Sequence, residues 1–287
     1  MLHNLDPHLA RFTLNTAGDY ENALKEIVQE LALVGLWRAK FFEHAAFYGG
    51  TALRLFHGLR RFSEDLDFSL LAPQPDFRPD PWLGAVRDEL QAYGFQFSVE
   101  TKAKAVLTAI ESAFIKGDTR VNLLHIGLPD WLAARIPALQ QVRVKLEIDT
   151  QPPSAAETEV RTLFMPIPHQ VRLYDLPSLM AGKLHAVLCR KWQNRLKGRD
   201  WYDLVWYAGR GIRPHLPHLA ARMAQTGHWP EGKVMSSADL HTLLEERIAA
   251  VDFGTAADDV RPFLKDTAEL ALWSAAFFRE VAGRVTV

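Results

Sequence analysis

Hydrophobic residues near the start of the chain recur every three or four positions, and this spacing predicts a helix. The pattern covers residues 24–34, and Gly35 is expected to end it. A short apolar run at residues 45–48 predicts a buried strand, and residues 51–57 predict a second helix closed by Gly58. The opening of the chain therefore predicts the order helix, strand, helix.

The middle of the chain alternates apolar and polar residues, which is the pattern of strands. One strand is expected around Leu66 and Phe68, and another at residues 142–149. A hairpin is expected between residues 113 and 124, with its turn at Lys116-Gly117-Asp118. These strands predict a sheet in the first half of the chain.

Beyond the prolines at 152, 153, 166 and 168 the pattern becomes helical to the end of the chain. The sequence therefore predicts an α+β fold, in which a mixed sheet with flanking helices is followed by a helical C-terminal half. We place the boundary near Pro168, which gives the domains 1–168 and 169–287. Helices are expected at residues 82–93, 177–192, 201–208, 238–251 and 258–281.

Composition narrows the class of protein. Apolar residues make up 48% and charged residues 23% of the chain, a globular balance, and no run of about 18 apolar residues predicts a membrane span. Cys189 is the single cysteine, which excludes an internal disulfide and a cysteine zinc cluster. The first residues lack the pattern of a secretory signal. We therefore expect a cytoplasmic protein.

The overall charge does not indicate a nucleic-acid-binding protein. The net charge is -1, whereas a protein that binds mainly to phosphates usually carries an excess of positive charge. Local basic patches remain as candidates at Arg60-Arg61 and at residues 190–199, where five basic residues surround Trp192. A solvated basic loop is the alternative interpretation of the second patch.

Asp65 and Asp67 carry the strongest chemical signal. Alternate residues of a strand point to the same face, so both carboxylates project together while Leu66 and Phe68 face the core. Neighbouring carboxylates repel one another unless a cation lies between them, and Mg²⁺ prefers oxygen ligands. A solvated strand surface would show the same pair, so the motif alone leaves both interpretations open.

The turn upstream of this strand adds to the signal. Gly49-Gly50-Thr51 begins a helix, where glycine permits close approach of a ligand and the free N–H groups attract an anion. Arg54, one turn into the helix, is expected to add a bond to a phosphate. A plain turn and a surface arginine are the alternatives.

Two further features involve charged side chains. The strand VKLEID at residues 144–149 places Lys145, Glu147 and Asp149 on one face, which is either a site or a solvated surface. Lys183 falls inside the apolar stripe of the helix expected at 177–192, so its amine either reaches water or pairs with an anion. Asp200 is either a site residue or the N-cap of the next helix.

The four motif regions resemble those of the AbiEii/AbiGii toxin family, in the DNA polymerase β-like nucleotidyltransferase superfamily. The segments that carry the resemblance read FYGGTALR at 47–54, RFSEDLDF at 61–68, DLPSLMAGKLHA at 175–186 and KGRDWYDL at 197–204. The resemblance implies that Gly49, Gly50, Thr51, Arg54 and Ser63 bind a nucleoside triphosphate. It also favours Glu147 over Asp149 as a third carboxylate beside Asp65 and Asp67.

The resemblance implies an enzyme that transfers a nucleoside monophosphate from a nucleoside triphosphate to an acceptor hydroxyl. It also implies that Asp65, Asp67 and Glu147 hold Mg²⁺ or Mn²⁺. Lys183 would contact the phosphates and Asp200 would act in or beside the active site. The implied acceptor is RNA, at the tRNA 3′ end in some relatives, and the implied partner is a winged-helix antitoxin. A small-molecule nucleotidyltransferase and a non-catalytic nucleotide sensor are the rival hypotheses.

Overall fold

The computed structural model describes residues 5–101, 109–190 and 196–285. The strands are β1 (Ala45–Tyr48), β2 (Asp65–Leu70), β3 (Ser98–Thr101), β4 (Ile110–Asp118), β5 (Gln141–Asp149), β6 (Thr158–Leu163) and β7 (His169–Tyr174). The helices are α1 (Asp6–Leu9), α2 (Ala17–Arg38), α3 (Gly49–His57), α4 (Asp80–Ala92), α5 (Thr119–His125), α6 (Asp130–Ala133), α7 (Leu176–Cys189), α8 (Gly198–Ala208), α9 (Leu216–Gln225), α10 (Ser237–Ala249), α11 (Phe253–Val260) and α12 (Ala275–Val285).

The strands form one mixed sheet in the order β3-β4-β5-β2-β1-β7-β6. At its centre, β2 runs parallel to β5 and antiparallel to β1, and β1 runs parallel to β7. Apolar side chains of the central strands are buried, with Phe47, Leu66 and Phe68 all fully covered. The predicted α+β class with a mixed sheet is therefore confirmed.

The chain folds into two compact units, each built from three separate stretches. The first unit consists of Met1–Thr51, Ser63–Pro152 and Val160–Leu173, and the second of Ala52–Phe62, Pro153–Glu159 and Tyr174–Val287. Within the described ranges, none of the helices is both long and apolar enough to cross a membrane.

The sequence predicted that Gly35 ends the first long helix, and this prediction is wrong. Helix α2 continues to Arg38, and Gly35 lies against α4 inside the first unit. A Cβ at this position would come within 2.8 Å of the carbonyl oxygen of Ala85 and of the Cα of Val86. The glycine is therefore needed for the close approach of two helices, not for a change in chain direction.

The predicted hairpin around Lys116-Gly117-Asp118 is wrong. These residues end the nine-residue strand β4, and the next segment is the helix α5. Gly117 lets the strand pass close to its neighbour, because a Cβ there would lie 2.7 Å from the carbonyl oxygen of Gln96. Asp118 caps α5 by accepting a hydrogen bond from the backbone N–H of Val121 at 2.8 Å.

The chain is not helical throughout after the proline-rich stretches, which corrects a second expectation. Strand β6 precedes Pro166, and strand β7 begins at His169, just after Pro168. From Leu176 onwards the described residues contain helices and no strand, as predicted. The single helix expected at residues 258–281 is instead divided into α11, two short 3₁₀ turns and α12.

In the second unit, the segment Pro153–Glu159 is fixed to the helices by hydrogen bonds. The Nδ1–H of His218 donates to the carbonyl of Ser154 at 2.9 Å, and the backbone N–H of Glu157 donates to the hydroxyl of Ser178 at 2.9 Å. His218 is fully buried, and its Nε2 has no hydrogen-bond partner among the described residues. Burial, assisted by Arg222, lowers the pKa of His218 to about 4 although its bond to Ser154 acts in the opposite direction.

This histidine is expected to make the fold sensitive to acid. Because the pKa of His218 is lowered from 6.5 to about 4, its contribution to stability is complete above pH 6.5 and is lost as the pH falls towards 4. The free energy of unfolding should decrease between about pH 7 and about pH 4, and this decrease should be about 3 kcal/mol smaller in His218→Asn than in wild type. Urea unfolding at several pH values measures the decrease. The same substitution at the exposed His241 is the control, and equal pH dependence of His218→Asn and wild type would contradict the prediction.

Candidate active site

The two acidic residues of β2 share one face of the sheet. Asp65 and Asp67 are partly exposed, while Leu66 and Phe68 between and after them are fully buried. This is the alternation that the sequence predicts, because successive side chains of a strand point to opposite faces. The carboxylates of β2 are therefore accessible on the face opposite its apolar side chains.

The neighbouring strand β5 presents its charged residues on the same face. In the parallel pairing of β2 with β5, Asp67 lies beside Glu147, Asp65 beside Lys145, and Ser69 beside Asp149. The amine of Lys145 donates a hydrogen bond to Glu147. Asp149 lies two residues after Glu147 on the same strand and is only 4% exposed. Glu147 is thus the acidic residue of β5 that stands directly beside Asp67.

The turn at Gly49 contacts the carboxylate of Asp67. Gly49 follows Tyr48, which pairs with Asp67 across the strands β1 and β2. Its φ of +85° is a conformation that side chains disfavour, and a Cβ at this position would lie 2.3 Å from Oδ2 of Asp67. Glycine is therefore required at position 49 for two reasons: its backbone conformation, and the space that the side chain of Asp67 occupies.

Residues around this turn hold it in place. The hydroxyl of Thr51 is buried and donates to the backbone carbonyl of Asp65, which ties the start of α3 to the start of β2. The carbonyl of Ser63, two residues before β2, accepts a hydrogen bond of 3.1 Å from the side chain of Gln29. Gly49, Gly50 and Thr51 form the first turn of α3, where backbone N–H groups have no partner within the helix.

The donor chemistry of this face fits a divalent cation that is shared with a substrate. Asp65 and Asp67 offer carboxylate oxygens on one face of β2, and the carboxylate of Asp67 lies next to Gly49. Among residues with described positions, no three or more histidine, cysteine or acidic side chains could hold a metal ion by themselves. Mg²⁺ commonly binds to one or two carboxylates together with substrate phosphates. Glu147 as a third ligand stays a prediction.

The second unit contains a buried chain of charged side chains around Lys183. The Nζ of Lys183 lies 2.7 Å from Oδ1 of Asp200 and 2.8 Å from Oδ2 of Asp203, and Arg190 also pairs with Asp200. The lysine in the apolar stripe is thus paired with anions, one of the two alternatives that the sequence left open. The N-cap alternative for Asp200 is wrong, since α8 begins at Gly198 after an N-cap at Lys197.

Arg61 completes this group, and sequence analysis missed it. Its guanidinium binds both carboxylate oxygens of Asp203, at 2.6 and 2.7 Å, and both side chains are almost fully buried. Burial alone would raise the pKa of the Asp203 carboxyl, but Arg61 and Lys183 outweigh it and hold this pKa below its ordinary value. The expectation that Arg61 belongs to a nucleic-acid-binding patch is corrected, because only its neighbour Arg60 is exposed.

Arg54 also has defined contacts within the second unit. Its guanidinium lies 4.1 Å from the ring centre of Phe62 and donates to the carbonyls of Arg60 and Arg61 at 2.8 and 3.1 Å. It therefore supports the loop before Ser63, and phosphate binding by Arg54 stays a prediction. Half of the basic stretch at residues 190–199, including Trp192, falls on residues 191–195, which lie outside the described part of the chain.

Comparison with known proteins identifies the family of the chain. The sequence profile described as "Nucleotidyl transferase AbiEii toxin, Type IV TA system" matches residues 31–280. No curated protein matches the sequence. Among solved structures, JHP933 from Helicobacter pylori is 19% identical, with a TM-score of 0.49 over 90% of this chain and 89% of that chain. A proposed nucleotidyltransferase from H. pylori is 18% identical, with a TM-score of 0.47 over 90% and 91% of the two chains. Because the matched profile covers most of the sequence, the chain is a nucleotidyltransferase and belongs to the AbiEii toxin family.

Proposed function

We propose that the enzyme transfers a nucleoside monophosphate from a nucleoside triphosphate to a hydroxyl group of RNA, with the tRNA 3′ end as the acceptor. The observation that carries the proposal is the contact between Gly49 and Asp67, with Glu147 in register beside it. A carboxylate next to a helix N-terminus supports the binding of a cation and a phosphate at adjacent positions. This arrangement supports nucleotidyl transfer, and the family resemblance supplies the RNA acceptor.

In this proposal Asp65 and Asp67 hold a divalent cation, Mg²⁺ or Mn²⁺. The bound cation would neutralise charge on the triphosphate. The backbone N–H groups of Gly49, Gly50 and Thr51 bind the phosphates at the start of α3, and Ser63 contributes to the same pocket. A triphosphate held at two points has its α-phosphorus fixed for attack.

The transfer itself exchanges one phosphorus–oxygen bond for another. The acceptor hydroxyl oxygen forms a bond to the α-phosphorus, while the bond from that phosphorus to the pyrophosphate oxygen breaks. Glu147 accepts the proton of the attacking hydroxyl, and its hydrogen bond with Lys145 fixes the direction of the carboxylate. The products are a nucleotide-extended acceptor and pyrophosphate.

For Lys183, Arg54 and Asp200 the proposal rests on the family resemblance. We assign phosphate binding to Lys183 and Arg54, and we assign the orientation of the Lys183 amine to Asp200. The ion pairs support the second assignment, because Asp200 and Asp203 raise the pKa of Lys183 against the effect of burial and keep its amine charged. The proposed setting is a cytoplasmic toxin–antitoxin or phage-defence system, with a winged-helix antitoxin encoded alongside.

The Gly49–Asp67 contact gives a direct test. Gly49→Ala should lower nucleotidyl transfer by at least about 100-fold, because displacement of a positioned group by about 1 Å can cost this much. Gly58→Ala is the matched control, since Gly58 has a similar φ of +74° but no atom within 4 Å of the position of a Cβ. Both variants carry the backbone strain, and only the first displaces Asp67.

The assay would incubate each variant with one labelled triphosphate at a time, a divalent cation and total RNA. We expect label in an RNA product that ribonuclease degrades, from wild type and from Gly58→Ala. Label that enters only low-mass products would contradict RNA as the acceptor. Equal transfer by Gly49→Ala and Gly58→Ala would contradict the proposed site.

A further inference from the structure

A small cavity in the second unit combines two arginines with two aromatic rings. It has a volume of about 210 Å³ and lies at the surface of α8, where Arg60, Tyr202, Trp206, Arg210 and Glu269 are among its lining residues. The proposed transfer reaction assigns no role to any of these side chains.

The two arginines of the cavity are available to an anion. Arg60 and Arg210 are exposed, and neither forms an ion pair with an acidic residue within the described part of the chain. The guanidinium carbon of Arg210 lies over the ring of Trp206, 3.9 Å from the ring centre, in a cation–π contact. A guanidinium held in this way offers its edge to a phosphate and its outer face to a planar base.

The remaining polar groups of the cavity suit a hydroxyl donor. Glu269 is exposed and accepts a hydrogen bond of 3.1 Å from the hydroxyl of Tyr202. A carboxylate has room for further donors, and the ribose 2′-hydroxyl is a donor that RNA has and DNA lacks. A single carboxylate beside two guanidinium groups leaves the cavity with a net positive charge.

The small size and openness of the cavity favour one part of a larger ligand over a small molecule that is fully enclosed. Pockets that enclose a small-molecule ligand usually measure about 300–1,000 Å³, and this cavity is smaller and open to solvent. A bound chain needs only one of its nucleotides to enter. Phosphate, base and ribose hydroxyl then each meet a matching group.

We infer that this cavity, the Arg60–Arg210 pocket, binds one nucleotide of the single-stranded RNA acceptor. Arg60 and Arg210 bind its phosphates, the base stacks on the guanidinium of Arg210, and Glu269 accepts the 2′-hydroxyl. The inference rests on the proposed function, because it names a binding site for the proposed acceptor.

Binding of RNA without triphosphate or metal tests the pocket separately from catalysis. The probe is a fluorescently labelled single-stranded RNA of mixed sequence, followed by anisotropy over a range of salt concentrations. Arg60→Ala combined with Arg210→Ala should weaken binding at least about 10-fold and reduce the salt slope by about 1.4, since each phosphate contact in single strands contributes about 0.7. Arg120→Ala combined with Arg135→Ala removes the same charge from exposed positions of the first unit and should leave binding within about twofold.

Several results would overturn the inference. One is an RNA affinity, and a dependence of that affinity on salt, that are unchanged in the Arg60/Arg210 variant. Another is a loss of RNA affinity in the Arg120/Arg135 variant that equals the loss in the Arg60/Arg210 variant. The third is an affinity of wild type for single-stranded DNA that equals its affinity for RNA of the same sequence. If the binding experiment contradicts the pocket, the proposed nucleotidyl transfer is still tested separately by the labelled-triphosphate assay. If the transfer assay fails, the RNA-binding result still tests the pocket.

Discussion

Replacement of Asp67 by asparagine is expected to reduce nucleotidyl transfer by about 1,000-fold or more. Asparagine keeps the shape of the side chain next to Gly49 but removes the negative charge that would hold the cation. Loss of electrostatic stabilisation at a reacting phosphate costs about 4 kcal/mol, which corresponds to a factor of about 1,000 in rate. The rate of incorporation of labelled nucleotide into RNA, at saturating triphosphate, measures the effect.

The control for this substitution is Asp118→Asn, the same chemical change at the helix cap of α5. Its activity should stay within about twofold of wild type, because an asparagine caps a helix about as well as an aspartate. Thermal unfolding of both variants shows whether the fold is intact. Nucleotidyl transfer by Asp67→Asn at the wild-type rate would show that the carboxylate of Asp67 is not needed for the reaction.

Replacement of Asp203 by leucine is expected to lower the free energy of unfolding by about 3–5 kcal/mol. The substitution leaves the guanidinium of Arg61 buried without its bidentate partner, whereas Lys183 still has Asp200. A buried charge without a partner is much more costly than a lost ion pair at the surface. Urea unfolding of wild type and variant measures the difference.

Two comparisons separate the buried charge from other effects of the substitution. Asp258→Ala removes an exposed aspartate 3.2 Å from Arg261 and should cost less than about 1 kcal/mol. Adding Arg61→Met to Asp203→Leu removes the unpaired charge and should recover at least about 2 kcal/mol. A loss in Asp203→Leu no larger than in Asp258→Ala, or no recovery in the double variant, would show that an unpaired buried charge is not the cause of the loss.

The parts of the fold that the sequence predicts are those whose burial is repeated along one element. Strands β2 and β5 each have a regular apolar pattern, because one of their faces packs against the core. Residues 45–47 of strand β1 and residues 26–36 of helix α2 are buried on all sides. The common face of Asp65 and Asp67 follows from the same alternation. For the same reason Lys145, Glu147 and Asp149 were assigned to one face of β5.

Glycines caused the clearest errors in the prediction of the fold. Gly35 was expected to end a helix and Gly117 to form part of a hairpin turn, whereas each lies inside a regular element that passes close to another backbone. Sequence does not separate these two uses, since both depend on the missing Cβ. Gly58, with its φ of +74°, is a helix-ending glycine that the sequence did predict.

The pairing of Arg61 with Asp203 could not be predicted, because 142 positions separate the two residues. Beside Arg60, Arg61 has the sequence pattern of an exposed basic pair, and only tertiary packing shows that it is buried. Asp203 lies three residues after Asp200 on α8. It contacts Lys183, while the guanidinium of Arg199 lies 4.3 Å from the ring centre of Phe263.

The parallel pairing of β1 with β7 has a consequence for the preparation of shorter fragments. Phe47 of β1 pairs with Leu173 of β7, although the two strands come from distant stretches of sequence. A fragment that stops at Pro168 would lack β7 and leave one side of an apolar strand unpaired, which is a template for aggregation. A soluble fragment that retains the Gly49 turn must therefore include Tyr174, the last residue of β7.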